Sequence, residues 1–407
     1  MSLFRRFLAL RDDRPWFVAV SLLALIALGT YPVVDWYLRL LDIAPRFAFW
    51  DFGAYAAAVE RWHAGESLYV RNDDGGYHGS YLYPPVALFA FIPFLLTLPF
   101  RPAALLWTAV TLALLWLATQ RLVTALGGSF HPAERLAVLP LVVGFHPVLL
   151  SAKLGQTAAA LGALLTFAAS TSLRGRAYLS GAFTACCGVI KLPYAPAGAH
   201  LLGSRDRFAG AVVGGLGLLC LSVLAFGVGA HRTFIDVLAW GVSEGSSARS
   251  PTIWLPPYYR PLYGVPYSLA IRIVASLAIV VGVVRAAPDA TRESTALGFA
   301  AVPLLAPLTY AYYFAAALPA VVLLVAAELD RPTGRPAIPV VGLLLLHVHS
   351  YGLRGLGAVA PEWLPAVLLQ PGLYGNLLIV GLAGVRVAAA GGPIAARSLS
   401  SAVGRGD

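Results

Sequence analysis

From Trp16 to Val387 the chain passes through one apolar stretch after another. Each is close to the roughly 20 residues that a helix needs to cross a hydrocarbon core about 30 Å thick. Water cannot be the main solvent of such a chain. Only 12% of its 407 residues are charged, against about 25% in a soluble domain, and its mean hydropathy is +0.75. In lipid every backbone polar group needs an internal partner, which leaves helices and closed barrels as the spanning structures. Barrel strands alternate polar with apolar residues over about ten positions, whereas runs such as AALLWTAVTLALLWLA (103–118) are apolar on nearly every face. The expected fold class is therefore all-α, a polytopic integral membrane protein.

Hydropathy predicts about twelve spans, at 16–34, 84–100, 102–121, 136–150, 155–172, 177–202, 208–229, 266–284, 295–310, 312–328, 337–351 and 365–388. Nothing between them is long enough for a soluble domain, so residues 1–407 read as one membrane-embedded domain with two long loops, 35–83 and 230–265. The first stretch follows Arg5, Arg6, Arg11 and Arg14, exceeds the apolar region of a signal peptide and lacks a small-residue cleavage site after it. It reads as a retained span. With both termini cytoplasmic, the two long loops fall on the outer face, and the basic excess falls on the inner segments, as the positive-inside rule requires. This arrangement puts Lys153 inside and Arg174 and Arg176 outside; a re-entrant pair near 136–172 would reverse both.

The formal charge of +10 comes from scattered residues at span ends, with no basic run, so the expected partners include membrane lipids and no nucleic acid. Cys186, Cys187 and Cys220 all lie in apolar runs and read as small buried hydrophobes.

The first long loop contains DFGAYAAAVERWHAG (51–65), where Phe52, Tyr55, Val59 and Trp62 form one stripe of an amphipathic helix, with Gly65 as a stop signal. Such a helix is expected to lie along the membrane surface. The second loop, at 246–267, is rich in Pro and aromatic residues, as suits an irregular segment at headgroup level.

Five places could carry chemistry. Asp51 opens the surface helix after Phe47, Phe49 and Trp50; it is a favoured N-cap residue, and equally a carboxylate at the membrane face able to take a proton from a hydroxyl. Tyr81 and Tyr83 precede Pro84 and Pro85 at a span start, as belt aromatics or as the lining of a sugar site. Lys153 and Lys191 are the only lysines. Lys191 has no charged residue within eight positions on either side and is followed by Pro193, which would break the helix locally. An intramembrane cation is a functional-site hypothesis that could pair with a phosphate, though a Lys near a span end can also serve as an anchor. Last, 304–320 joins two spans through Pro307, Tyr310, Tyr312 and Tyr313, which an aromatic belt alone would explain. There is no P-loop, no GxGxxG, no HExxH and no Asp-x-Asp.

Taken in order, these pieces resemble the polytopic GT-C glycosyltransferases, and within them family 87, the polyprenol-phosphate-mannose-dependent mannosyltransferases. The resemblance rests on Asp51 with Tyr55 and Gly65 to Tyr69, then Tyr-Pro-Pro at 83–85, Gly-Gln at 155–156, Lys-x-Pro at 191–193 and Pro-Leu-Thr-Tyr at 307–310. It implies an inverting enzyme that moves a sugar, mannose in the family, from a polyprenyl-phosphate donor to a lipid or glycan acceptor at the outer face of a prokaryotic plasma membrane. No metal or cofactor is implied. The resemblance assigns the base to Asp51. It places Lys191, Gln156 and Tyr312 on the donor phosphate, and Tyr55, Tyr81, Tyr83 and Tyr310 around the sugar and acceptor. One departure is Tyr312, which stands where the family's late motif has His. A Tyr, with a pKa of about 10, does not replace a His in proton transfer near neutral pH without help. A lipid-linked-sugar flippase and a non-catalytic relative of the family are the alternatives.

Overall fold

The computed structural model describes residues 3–73, 75–77, 79–246, 258–286, 290–306, 309–361 and 363–391. Pro307 and Leu308 of the late motif, and 247–257 of the second loop, lie outside the described residues. In chain order the helices are α1 (Leu3–Ala9), α2 (Pro15–Leu40), α3 (Trp50–His63), α4 (Ile92–Leu95), α5 (Phe100–Ala125), α6 (Pro132–Gly144), α7 (His146–Leu154), α8 (Ala158–Leu173), α9 (Ala177–Ile190), α10 (Arg205–Ser246), α11 (Ser268–Ala286), α12 (Thr291–Leu305), α13 (Ala317–Leu329), α14 (Ala337–His347), α15 (His349–Val359) and α16 (Pro371–Ala390). Two short strands, β1 (Tyr258–Tyr259) and β2 (Thr309–Tyr310), pair antiparallel with Tyr258 opposite Tyr310.

The all-α polytopic class holds, but fewer helices run unbroken over a full span than the twelve apolar stretches suggested, and the apolar Ala158–Leu173 and Ala177–Ile190 are shorter. Among the described residues six helical segments are long and apolar enough to cross a bilayer, or eight if the bent pairs α6–α7 and α14–α15 each count as one. Proline accounts for much of the difference. Residues 84–100 hold Pro84, Pro85, Pro93 and Pro99, each lacking a backbone donor, and form a 3₁₀ turn (Pro85–Ala90) followed by the four-residue α4. Residues 177–202 stop being α-helical at Ile190; Lys191 is extended (φ −146°, ψ 96°), and Leu192–Gly203, with Pro193 and Pro196, continues as 3₁₀ helix. The bends of 70° in α6–α7 and 69° in α14–α15 abut, since the backbone N–H of His146 donates to Nδ1 of His347 over 3.1 Å.

The first bend also corrects the local topology. It turns the end of α7 toward the first long loop, so that the carbonyl of Lys153 accepts the backbone N–H of Phe49 at 2.9 Å and its Nζ lies 2.5 Å from Oδ1 of Asp35. Lys153 is thus a buried helix residue at the end that carries this loop, not a residue of an inner loop. At the opposite end Arg14 donates to the carbonyls of Arg331, Pro332 and Gly334, and Leu173 lines a pocket with Arg331, which brings Arg174 and Arg176 to the N-terminal side. Both placements are those that a re-entrant pair produces.

Helix α3 forms where the apolar period places it, but its stripe does not lie on lipid. Phe52, Tyr55 and Val59 are buried against protein: Phe52 meets the rings of Phe91 and Phe100 at 5.9 and 5.8 Å, and Tyr55 stacks on Phe91 at 4.1 Å. The proline-broken segment at 84–95, together with the start of α5 and the end of α7, provides that surface. The two long loops share one end of the molecule. Arg71 approaches Asp236 at 4.0 Å, Tyr77 meets Trp240, and Tyr69 meets Phe234 near the end of α10.

Candidate active site

Gln156 is the centre of the arrangement. It follows Gly155, which is in the left-handed region (φ 69°) and so close to α3 that an added Cβ would stand 2.6 Å from Cβ of Phe52. Glycine is required on both counts. The turn directs the buried Gln156 side chain at the first turn of α3, where Nε2 donates to Oδ2 of Asp51 at 2.8 Å and to the hydroxyl of Tyr312 at 3.3 Å. Its oxygen accepts from the hydroxyl of Tyr83 (2.8 Å), the hydroxyl of Tyr55 (3.3 Å), the backbone N–H of Thr157 (3.0 Å) and Nζ of Lys191 (3.4 Å).

Asp51 is not the N-cap of α3. The cap is Phe49, in the left-handed region (φ 52°), and no side chain caps the helix; the Asp51 carboxylate turns to Gln156 instead. It remains in the first turn, where the positive end of the helix dipole favours a carboxylate. Burial raises its pKa above the ordinary value, opposed by the hydrogen bond from Gln156 and the charge of Lys191. The flanking Trp50 is itself 76% exposed.

Lys191 lies where α9 breaks. Its Nζ donates to the hydroxyl of Tyr83 at 2.8 Å and faces the rings of Tyr313, Tyr83 and Tyr312 at 4.5, 4.9 and 5.2 Å. No carboxylate pairs with it among the described residues. A cation held by one hydroxyl, one amide oxygen and aromatic faces keeps its full charge for an anion.

The candidate residues therefore divide. Asp51, Tyr55, Tyr83, Gln156, Lys191 and Tyr312 converge on one hydrogen-bonded cluster, and Tyr310 joins it by stacking on Tyr312 at 5.2 Å with rings 10° apart. Tyr81 stands a layer behind, with its buried hydroxyl donating to the carbonyl of Pro84. Tyr312 holds a place in the cluster through its hydroxyl and its ring, as a hydrogen-bonding group. Thr157 joins the cluster through its hydroxyl and Tyr313 through its ring under Lys191, while Arg260 lies at its edge over Tyr310; none of the three has a site role in the sequence reading. Thr157 follows the Gly-Gln turn and Tyr313 belongs to the late tyrosine run, so sequence proximity could have indicated both. Arg260 had no such signal.

Beside the cluster an apolar groove of about 320 Å³ opens between α5, α8 and α9, walled by Trp107, Leu164, Phe167 and Phe183, with Thr157 and Ile190 where it adjoins Gln156 and Lys191. Among the described residues, no group of three His, Cys, Asp or Glu side chains could hold a metal ion.

Comparison with known families decides the broader class: the model of glycosyltransferase family 87 matches residues 81–309, more than half of the chain. The chain belongs to glycosyltransferase family 87. The family is of the GT-C type, in keeping with the polytopic helical fold. Tyr81, Tyr83, Gln156 and Lys191 lie inside the matched segment, whereas Asp51, Tyr55, Tyr310 and Tyr312 lie outside it and reach the family segment only through the fold. No curated protein and no solved structure matches the chain.

Proposed function

We propose that this family 87 glycosyltransferase is an inverting enzyme that transfers a sugar, with mannose the first to test, from a polyprenyl-phosphate donor to a lipid or glycan acceptor at the outer face of the plasma membrane. The observation that carries the reading is the bridge from Asp51 through Gln156 to Lys191: a carboxylate and a carboxylate-free cation joined by one amide. One amide spans them, so both can act on one bound sugar. In a direct displacement the acceptor oxygen attacks the anomeric carbon as the bond to the phosphate oxygen breaks. The phosphate leaves with the electron pair and the hydroxyl proton passes to the base. Asp51 suits the proton, because a raised pKa makes a better base. Lys191 suits the phosphate, because an ammonium stabilises the charge that develops on the leaving oxygen.

The apolar groove supports a lipid-borne donor. A polyprenyl tail lying along Phe167, Leu164 and Trp107 would emerge beside Thr157 and Ile190, bringing its phosphate to Lys191. Tyr310, Tyr312 and Tyr313 form successive ring faces on which the apolar side of a sugar can rest. Exposed Trp50 and Tyr267 are of the residue types that settle at headgroup level.

The test is incubation of the purified protein with radiolabelled polyprenyl-phosphate mannose and a membrane lipid extract. The expected result is a labelled lipid or glycan with the anomeric configuration opposite to that of the donor. Retention of configuration, or consumption of a nucleotide sugar in place of the lipid donor, would reject the reading.

A further inference from the structure

Arg260 lies outside the cluster around Gln156, yet it is held firmly. The buried Gln370 grips its main chain from both sides, accepting its N–H and donating to its carbonyl, each at 2.8 Å. Its guanidinium faces the rings of Tyr258 and Tyr310 at 4.9 and 5.2 Å, and Nη1 donates to the carbonyls of Tyr259 and Thr309. Pairing of β1 with β2 sets both rings in place. Arg39, Arg331 and Arg386 meet the carboxylates of Asp35, Glu293 and Glu328, but Arg260 meets none among the described residues. It is half-buried, and its side chain also hydrogen-bonds Tyr310.

A row of rings connects this cation to the site. Tyr258 meets Tyr310 at 5.5 Å, Tyr310 stacks on Tyr312 at 5.2 Å and Tyr312 on Tyr313 at 5.5 Å, where Lys191 lies over the last two. Two cations without carboxylate partners among the described residues thus occupy opposite ends of one aromatic row, and Asp51 is close enough for its charge to act on Tyr310. Lys191 adjoins the apolar groove; Arg260 belongs to the second long loop, remote from the groove in the chain and across the tyrosines from Lys191. A donor with a single phosphate needs only the cation beside the groove.

We propose that Arg260, framed by Tyr258 and Tyr310, is a second anion subsite, and that it takes the phosphodiester of an anionic lipid that serves as acceptor. The guanidinium fork, fixed on one side by carbonyls, presents its other N–H groups together to two oxygens of one phosphate, a geometry that an ammonium does not offer. A phosphodiester held there leaves the headgroup hydroxyls beside Tyr310, toward Asp51. The assignment to the acceptor rests on the transferase reading; the existence of the anion subsite does not.

Equilibrium binding to the full-length protein in detergent separates the two. The probes are dihexanoyl phosphatidylglycerol, as an anionic phosphodiester, and decyl phosphate, as a lipid monophosphate. Arg260→Gln is expected to weaken phosphatidylglycerol about tenfold or more and to change decyl phosphate less than about twofold, with Lys191→Met showing the reverse. Arg260→Lys keeps the charge without the fork and is expected to bind phosphatidylglycerol more weakly than the wild type, so a misfolded Gln variant does not remove the test. Unchanged phosphatidylglycerol binding in the folded variants, or an equal loss for both probes, overturns the proposal. Because neither measurement needs turnover, a protein that binds both probes as expected but transfers no sugar would sink the transferase reading, and the acceptor role with it, while the anion subsite stands.

Discussion

The Gln156 amide donates to the Asp51 carboxylate at 2.8 Å while its oxygen faces the Lys191 ammonium at 3.4 Å. An amide is the side chain that can do both, since its two ends have opposite hydrogen-bonding character. It orients the carboxylate without protonating it and draws the cation without neutralising it. Most of the expected behaviour of the site follows from that relationship.

Asp51→Asn keeps the volume of the side chain and cannot remove a helix cap, because Phe49 occupies that position. The variant is expected to fold, with an unchanged thermal unfolding midpoint, and to bind the donor. Its turnover should fall by about 10² to 10⁴, the usual worth of a general base. A folded variant with wild-type turnover would falsify the assignment of Asp51 as the base.

The rate should depend on pH through the same carboxylate. Burial holds the Asp51 pKa above its ordinary 3.8, and the Gln156 hydrogen bond and Lys191 charge pull it down. A base must be ionised to act, so kcat/KM should fall as the pH drops through this raised pKa. Gln156→Met removes one of the lowering influences, which pushes the pKa further up and moves the acid limb to higher pH. A limb that stays in place, or moves to lower pH, would show that another group limits the rate.

Lys191→Met tests the cation. A hydrogen bond to a charged group contributes about 1.5 to 3 kcal/mol, so decyl phosphate should bind at least about tenfold more weakly. Unchanged affinity in a folded variant would leave Lys191 as an anchor for the broken end of α9.

Local cues predicted some of these features and missed those set by distant contacts. Lys191 and Pro193 are two positions apart, and the helix does end there. The stripe on α3 is a local period and forms a helix, but whether lipid or protein covers it depends partly on 84–95, whose prolines the hydropathy average conceals. Hydropathy assigns Lys153 to the opposite end for a similar reason, because a 70° bend between two apolar stretches leaves the mean hydropathy unchanged. Arg260 depends on partners 49 and 110 positions away, Thr309 and Gln370, which no local pattern relates to it.

The shared end of the two loops is a statement about contacts, and their outward orientation can be tested by chemistry. In a variant lacking Cys186, Cys187 and Cys220, single cysteines at the exposed Ser67 and Asp236 should both react with an impermeant thiol reagent on intact cells. Reaction of one alone, or of either only after lysis, would reject the outer placement.

Behind the site, Asp35 and Lys153 form an ion pair at 2.5 Å with the two side chains only 1% and 5% exposed, and Arg39 adds a second contact to Asp35 at 3.0 Å. The carbonyl of Lys153 holds the N–H of Phe49, two residues before Asp51, and Gly155 and Gln156 follow on the same strand of chain. The pair thus joins α2 to the junction from which both Asp51 and Gln156 project. Removing one partner of a buried pair leaves an uncompensated charge and costs about 3 to 5 kcal/mol, whereas replacing both by apolar groups is often neutral. Asp35→Leu alone is therefore expected to lower the thermal midpoint sharply in detergent. Asp35→Leu combined with Lys153→Met should recover most of the loss, because the main-chain bond to Phe49 does not depend on either side chain. Turnover in the double variant reports separately on positioning. If it returns together with stability, the pair serves only to hold the fold; if stability returns and turnover does not, while donor binding is normal, the pair also sets the distance between the Asp51 carboxylate and the acceptor hydroxyl. A double variant no more stable than the single one would reject the view that unpaired charge, and not lost packing, is what the Asp35–Lys153 contact prevents.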